Sequence, residues 1–341
     1  MKTLISIQYL RAVAVGLVLF FHCRDQFPGF TAILPGIGAG GVDLFFVISG
    51  FIMVTITAER ETSPAQFMLR RIIRIAPLYW FFTSAVAAAA LVAPSLFRDT
   101  LVTPGHYVLS LLFIPHDDHV VRTMMSPLLK VGWTLNYEMF FYLCFSLSML
   151  IPRWRVPICV AGISVLVLLG RLLPLEGAAR FYTDPIMLEF CFGMILGWAY
   201  TSGQKASVPW ATALVLIGIV LCFVIPVETR RTVHYGIGAA MIVAGGLSLE
   251  RFVPKLRIPL LLGDASYSIY LAHLYPIVAL RIVWERIGMP TEGLSAALLF
   301  SLLGIPLGLA VGVAAHLLVE RPMLAFFHNR MKARQASRQA S

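Results

Sequence analysis

A chain of 341 residues that is 59% hydrophobic and only 13% charged is not a soluble globular protein, in which about a quarter of residues carry charge. Its mean hydropathy of +0.83 points to a polytopic membrane protein, solvated mostly by lipid. The net charge of +10 is then a signal of topology, and nucleic-acid binding is set aside.

Apolar runs of about 17 to 25 residues mark membrane spans. They fall near 5–23, 38–57, 75–93, 131–151, 156–173, 184–200, 208–225, 233–249, 267–286 and 294–318. The expected fold class is therefore an all-α integral membrane protein with about ten transmembrane helices in one bundle. The apolar piece from Tyr107 to Pro115 is too short to span and reads as an interfacial or re-entrant helix near 105–115. Residues 1–327 make the transmembrane domain, and 328–341 read as a frayed, basic cytoplasmic tail. With the N-terminus inside, inner segments hold roughly twice the Lys and Arg of outer ones, which places both termini in the cytoplasm.

The first span carries Arg11 and His22 within an apolar stretch. Ionisable groups at membrane depth are costly and mark function. Eleven residues at about 100° each close nearly three turns, so the two side chains share a face and lie roughly 16 Å apart along the axis. That spacing suits the two ends of a long anionic cosubstrate. Arg11 and the large residues Phe20 and Phe21 also argue against a cleaved signal peptide. The five cysteines show no metal-ligand spacing, and no metal is expected.

The second span opens on Gly40-Gly41-Val42-Asp43. The first two spans form a hairpin, so Asp43 is expected to reach His22 and orient it as a general base. Helix capping is the plainer role for Asp43. Before the third span, Arg70, Arg71 and Arg74 put two or three guanidiniums on one helical face. Such a face suits phosphate or anchors to lipid headgroups. The fourth span opens on Trp133, Asn136, Tyr137, Glu138 and Tyr142. An interfacial belt explains the aromatics but not Glu138, which needs a partner or a job. Aromatic faces beside a carboxylate and an amide also suit sugar binding. In the ninth span Ser266, Tyr270 and His273 share a face, as a functional stripe or as interhelical hydrogen bonding. Glu320-Arg321-Pro322 reads as a helix stop with a local ion pair.

Taken in order, these motifs resemble the membrane acyltransferase 3 family, and within it the ExoZ-type exopolysaccharide acetyltransferases. The matching pieces are Ile7 to Ala12 with His22, Gly41 to Phe51, Arg70 to Pro77, Trp133 to Tyr142, Ser266 to His273, and Glu320 to Pro322. The resemblance implies a ten-helix enzyme of the bacterial inner membrane. It would pass acetyl from cytoplasmic acetyl-CoA to a hydroxyl of a lipid-linked or nascent glycan, alongside polysaccharide-assembly machinery and as a possible homodimer. No SGNH-type hydrolase domain follows, which implies a stand-alone enzyme. The resemblance implies that His22 and Arg11 are essential and that the arginine-rich motif handles CoA phosphates. The expected site is His22, Asp43 and Glu138 for chemistry. Arg11, Arg70, Arg71, Arg74, Tyr270 and His273 would bind the donor, and Trp133, Asn136, Tyr137 and Tyr142 the acceptor. Direct attack and an acetyl-histidine carrier both remain open. A glycolipid transporter or flippase is the rival, but it would show an internal repeat or paired broken helices, and the sequence shows neither.

Overall fold

The computed structural model describes residues 4–58, 62–94, 100–117, 125–223 and 231–340, and no strand forms among them. In chain order the α-helices are α1 (Ile5–Arg24), α2 (Pro28–Ile33), α3 (Gly40–Ala58), α4 (Pro64–Val92), α5 (Pro104–Leu111), α6 (Trp133–Ser148), α7 (Arg155–Leu172) and α8 (Gly177–Tyr182). They continue as α9 (Leu188–Thr201), α10 (Val208–Phe223), α11 (Ile237–Ser248), α12 (Arg257–Ala272), α13 (Leu274–Arg286), α14 (Leu294–Ala315) and α15 (Arg321–Ala340). Short π-helical turns, Thr232–Gly236 and His316–Glu320, precede α11 and α15.

Ten spans were expected. Among the described residues five helices are long and apolar enough to cross a bilayer, or six if α12 and α13 count as one bent span. The expected spans at 131–151, 184–200, 208–225 and 233–249 appear as the shorter α6, α9, α10 and α11, and residues 224 and 225 lie outside the described residues. Large apolar side chains such as Leu147, Leu168, Leu216 and Leu302 face outward, as lipid solvation requires. The chain is a membrane protein.

Three boundaries differ from the sequence expectation, each for a local reason. The third span begins at Pro64 rather than near 75, because Ser63 caps the helix by accepting from Gln66 N (3.3 Å) and Pro64 fits its first turn. The arginine motif is therefore helical. The ninth span begins at Arg257 and is broken at His273, where α12 and α13 meet at 57°. Pro276 has no N–H, and its ring clashes with the carbonyl four residues back, that of Ala272. Finally, 328–340 continues as helix α15. The segment has no Gly or Pro and is rich in Ala, Arg and Gln, which are good helix formers. The short helix expected near 105–115 is α5, capped by Thr103 (3.1 Å) and tied to α4 by Tyr79 Oη to Ser110 O (3.0 Å) and Trp80 Nε1 to Leu111 O (2.8 Å).

Glycine brings the helices together. At Gly193 an added Cβ would strike the backbone of Val47 and Phe51, so α9 lies directly on α3. On α14, Gly304, Gly308 and Gly312 recur every four residues against Cys23, Leu19 and Ile269. This small-residue face, of the kind that pairs membrane helices, is spent within the chain on α1 and α12.

Candidate active site

Five helices enclose a cavity of about 240 Å³. Arg11 comes from α1, Phe45 and Ser49 from α3, Arg71 and Arg74 from α4, Glu138 and Tyr142 from α6, and Ser266, Tyr267 and Tyr270 from α12. Seven residues singled out from the sequence, Arg11, Arg71, Arg74, Glu138, Tyr142, Ser266 and Tyr270, thus meet in one place.

Three guanidiniums dominate the cavity's charge, and each is held differently. Arg11 Nη1 donates to Gln8 Oε1 (3.1 Å), one turn back on α1. Arg74 pairs with Glu320 and lies over the Tyr267 ring, its carbon 5.7 Å from the centroid. Arg71 lies over Phe67 (5.9 Å), and its buried Nε has no partner. A buried donor left unmade costs free energy, so Arg71 is the guanidinium with a bond to offer. Arg70 is exposed and does not line the cavity, so it does not join the cluster expected of it. The same helical face cannot present both Arg70 and Arg71 inward, since consecutive residues diverge by about 100°.

Glu138 has its partner. Its Oε1 accepts from Tyr142 Oη (2.5 Å) and Ser49 Oγ (3.0 Å). Tyr142, expected to hold acceptor, instead spends its hydroxyl on Glu138. Tyr270 Oη donates to Val131 O (2.9 Å) and lies 2.8 Å from Thr134 Oγ1.

The local ion pair expected at Glu320-Arg321 does not form. Glu320 takes Arg74, Ser268 Oγ (2.5 Å) and His316 Nδ1 (2.6 Å), while Arg321 Nε donates to His316 Nε2 (3.1 Å). The π-turn His316–Glu320 widens the helix where these side chains turn inward, a placement common at functional sites.

Neither His22 nor His273 lines the cavity, and His22 connects to its Tyr270 only through His273. The His22 ring centroid is 5.0 Å from that of His273, which is itself 6.0 Å from Tyr270. The expected His22–Asp43 pair is not made. Asp43 is fully buried and its two oxygens are taken by Arg231, at 2.7 Å from Nη2 and 3.1 Å from Nε. A bidentate guanidinium is the stronger partner for a buried carboxylate. Arg231 lies over the rings of Trp133 (6.0 Å) and Tyr235 (5.9 Å). Glu189, also fully buried, lies beside Asp43.

The expected acceptor residues therefore divide. Trp133 and Tyr137 belong to this second cluster, Tyr137 stacked on Phe181 (3.9 Å, 12°) and edge-on to Trp133 (5.9 Å). Asn136 is buried with both amide atoms unpartnered and does not line the cavity. The sequence reading missed Glu189, Arg231 and Glu320 as members of these clusters. For Glu189 the signal was present, as a carboxylate inside an apolar run, whereas Glu320 lies just past one. Arg231 gave none.

Replacing Arg231 by Met should lower stability by about 3 kcal/mol, because the buried Asp43 charge loses its guanidinium and is left beside the carboxyl group of Glu189. Adding Asp43→Asn should recover most of that loss. Thermal melting of both variants in detergent checks this, and a double variant no more stable than the single one would contradict it.

Among the described residues no group of three or more His, Cys, Asp or Glu is placed to hold a metal ion. No solved structure matches the chain. The chain is 39% identical over 319 residues to the exopolysaccharide production protein ExoZ of Rhizobium meliloti (strain 1021), covering 90% of this chain and 94% of that protein. It is 26% identical over 287 residues to a protein provisionally named membrane-bound transacylase BcsY of Komagataeibacter xylinus, covering 79% and 71%. It is 24% identical over 315 residues to a protein provisionally named O-acetyltransferase SACOL0978 of Staphylococcus aureus (strain COL), of which it spans 50%. The profile described as an acyltransferase domain, Acyl_transf_3, matches residues 4–317. With that match over nearly its whole length, the chain belongs to the acyltransferase 3 family and is an acyltransferase.

Proposed function

We propose that the chain is an O-acetyltransferase that takes acetyl from cytoplasmic acetyl-CoA and passes it to a hydroxyl of a lipid-linked or nascent exopolysaccharide. It would do so as a ten-helix protein of the bacterial inner membrane with both termini cytoplasmic. The observation that carries this reading is the convergence of Arg11, Arg71 and Arg74 on one cavity whose Tyr270 leads through His273 to His22. The ExoZ and O-acetyltransferase names of the relatives support the acceptor and the group transferred.

A cavity of about 240 Å³ is smaller than the roughly 300–1,000 Å³ that encloses a drug-sized ligand. It accommodates the acyl-thioester end of the donor, with the nucleotide left near the exposed Arg70. Arg71 and Arg74 hold donor phosphate, and Arg11 lies deeper along the same path. His22 takes the proton of the acceptor hydroxyl, whose oxygen attacks the thioester carbonyl. The carbon–sulfur bond breaks, and the departing thiolate takes the proton from His22. An acetyl-histidine route uses the same residue twice. Glu138, with Tyr142 and Ser49, sets the charge opposite the guanidiniums.

A glycolipid transporter is the second reading, favoured by the broken pair α12–α13. Membrane vesicles containing the chain, given radiolabelled acetyl-CoA and lipid-linked glycan, separate the two. Base-labile label on the glycan that depends on the chain is the expected result. No label, with acceptor shown to be present, would overturn it.

A further inference from the structure

His273 is fully buried at the break between α12 and α13. Its Nδ1 lies 2.7 Å from Tyr270 O and 3.2 Å from Ile269 O. Carbonyl oxygens only accept, so Nδ1 carries the hydrogen and Nε2 is left as a lone pair. These are C-terminal carbonyls of α12, the groups a helix end leaves for other donors. Nε2 is buried and has no hydrogen-bond partner. An acceptor in that state is costly unless something completes it. Gly308 of α14 faces it, where an added Cβ would lie 3.6 Å from His273 Cβ, an ordinary contact.

The ring beside it is that of His22, 5.0 Å away and tilted by 40°. The other aromatic neighbour of His22 is Phe21, edge-on at 5.4 Å, which offers no polar atom. The carboxylate expected to orient His22 is bound to Arg231 instead.

We propose that His273 positions His22, its Nε2 accepting the N–H of the His22 ring so that the opposite His22 nitrogen is left as the lone pair facing substrate. The inference rests on the reading of His22 as the base in acyl transfer. A turn of the His22 ring brings its N–H onto Nε2. The hydrogen of the pair is then fixed from the backbone outward: Tyr270 and Ile269 carbonyls set the tautomer of His273, and His273 sets the tautomer of His22. When His22 takes the acceptor proton, the resulting imidazolium donates to Nε2, which shares the charge until the leaving thiolate takes the proton back. A fixed tautomer partner is what an imidazole base requires, and here a second imidazole provides it without burying a further charge.

Two measurements test this in the full-length protein. Nitrogen-15 NMR of the histidine-labelled protein in bilayers, with signals assigned by loss in His22→Asn and His273→Gln, should show one N–H···N bond between the two rings. This readout does not depend on any reaction, and its absence would overturn the proposal. In the transfer assay, His273→Phe should lower kcat by about 100-fold or more. KM for acetyl-CoA should stay within about threefold, since a pure tautomer effect spares ground-state binding. His273→Gln, whose amide can both donate to Tyr270 O and accept from His22, should keep kcat within about tenfold of wild type. A His273→Phe variant that raises KM with kcat unchanged would overturn the proposal and place His273 in donor binding. An N–H···N bond in a protein with no acyl transfer would leave the pair standing and sink the reading of the function.

Discussion

His22→Ala should abolish acyl transfer, lowering kcat by about 1,000-fold or more, the upper part of the range for losing a positioned base. Donor binding should stay within about threefold, because the guanidiniums proposed to hold phosphate, Arg71 and Arg74, lie on α4 and are untouched. The physical reason is the position of the imidazole. It packs on His273, whose own ring is 6.0 Å from that of the cavity's Tyr270, while Glu138 is committed to Tyr142 and Ser49, and Arg74 to Glu320. Among the described residues His273 is the other imidazole beside it, with an Nε2 that has no hydrogen-bond partner. Radiolabel transfer at matched expression, with acetyl-CoA binding measured in the same membranes, reads both quantities. A variant that transfers at wild-type rate would remove His22 from the chemistry, whichever of direct attack or acetyl-histidine applies.

Arg71→Ala should raise KM for acetyl-CoA by about 10- to 100-fold, the worth of one or two charge-assisted bonds, and leave kcat within about threefold. Arg70→Ala should change KM by less than about twofold. The two residues are adjacent in sequence, and charge counting alone treats them alike. In the structure Arg70 is exposed, whereas Arg71 lines the cavity with an unpartnered Nε. Arg71→Lys should recover little, since an ammonium lacks the planar fork that meets two phosphate oxygens. Steady-state kinetics over a range of acetyl-CoA concentrations decides it. Equal effects at positions 70 and 71 would mean that the motif acts as a diffuse positive surface.

Much of the site was legible because it rests on one rule, that ionisable groups inside apolar runs are placed there for a purpose. Arg11 and Glu138 obey it, Arg71 and Arg74 stand just before the third apolar run, and all four meet in one cavity. The rule says nothing of which helix faces which. Glu320 and Arg74 are 246 residues apart, and Asp43 and Arg231 are 188 apart. Hydrophobic periodicity locates a helix and its depth but gives no neighbour, so the hairpin of the first two spans pointed Asp43 at His22. The break at His273 follows from Pro276, a signal that an apolar run of the right length conceals. The repeat Gly304, Gly308, Gly312 was readable in the same way and was passed over. It packs α14 onto α1 and α12. Span number was the least legible quantity, since α6, α9, α10 and α11 are shorter as helices than the apolar runs that contain them.

The measurement that bears most directly on acyl transfer through the bundle is sidedness. Vesicles turned cytoplasmic face outward, loaded with lipid-linked glycan, are given radiolabelled acetyl-CoA, which does not cross lipid. Passage of the acetyl group along the Arg71-to-His22 path predicts labelled glycan inside the vesicle, protected from an added esterase, and no labelling in vesicles of the opposite orientation. Label that appears only on the face to which acetyl-CoA was added would contradict it.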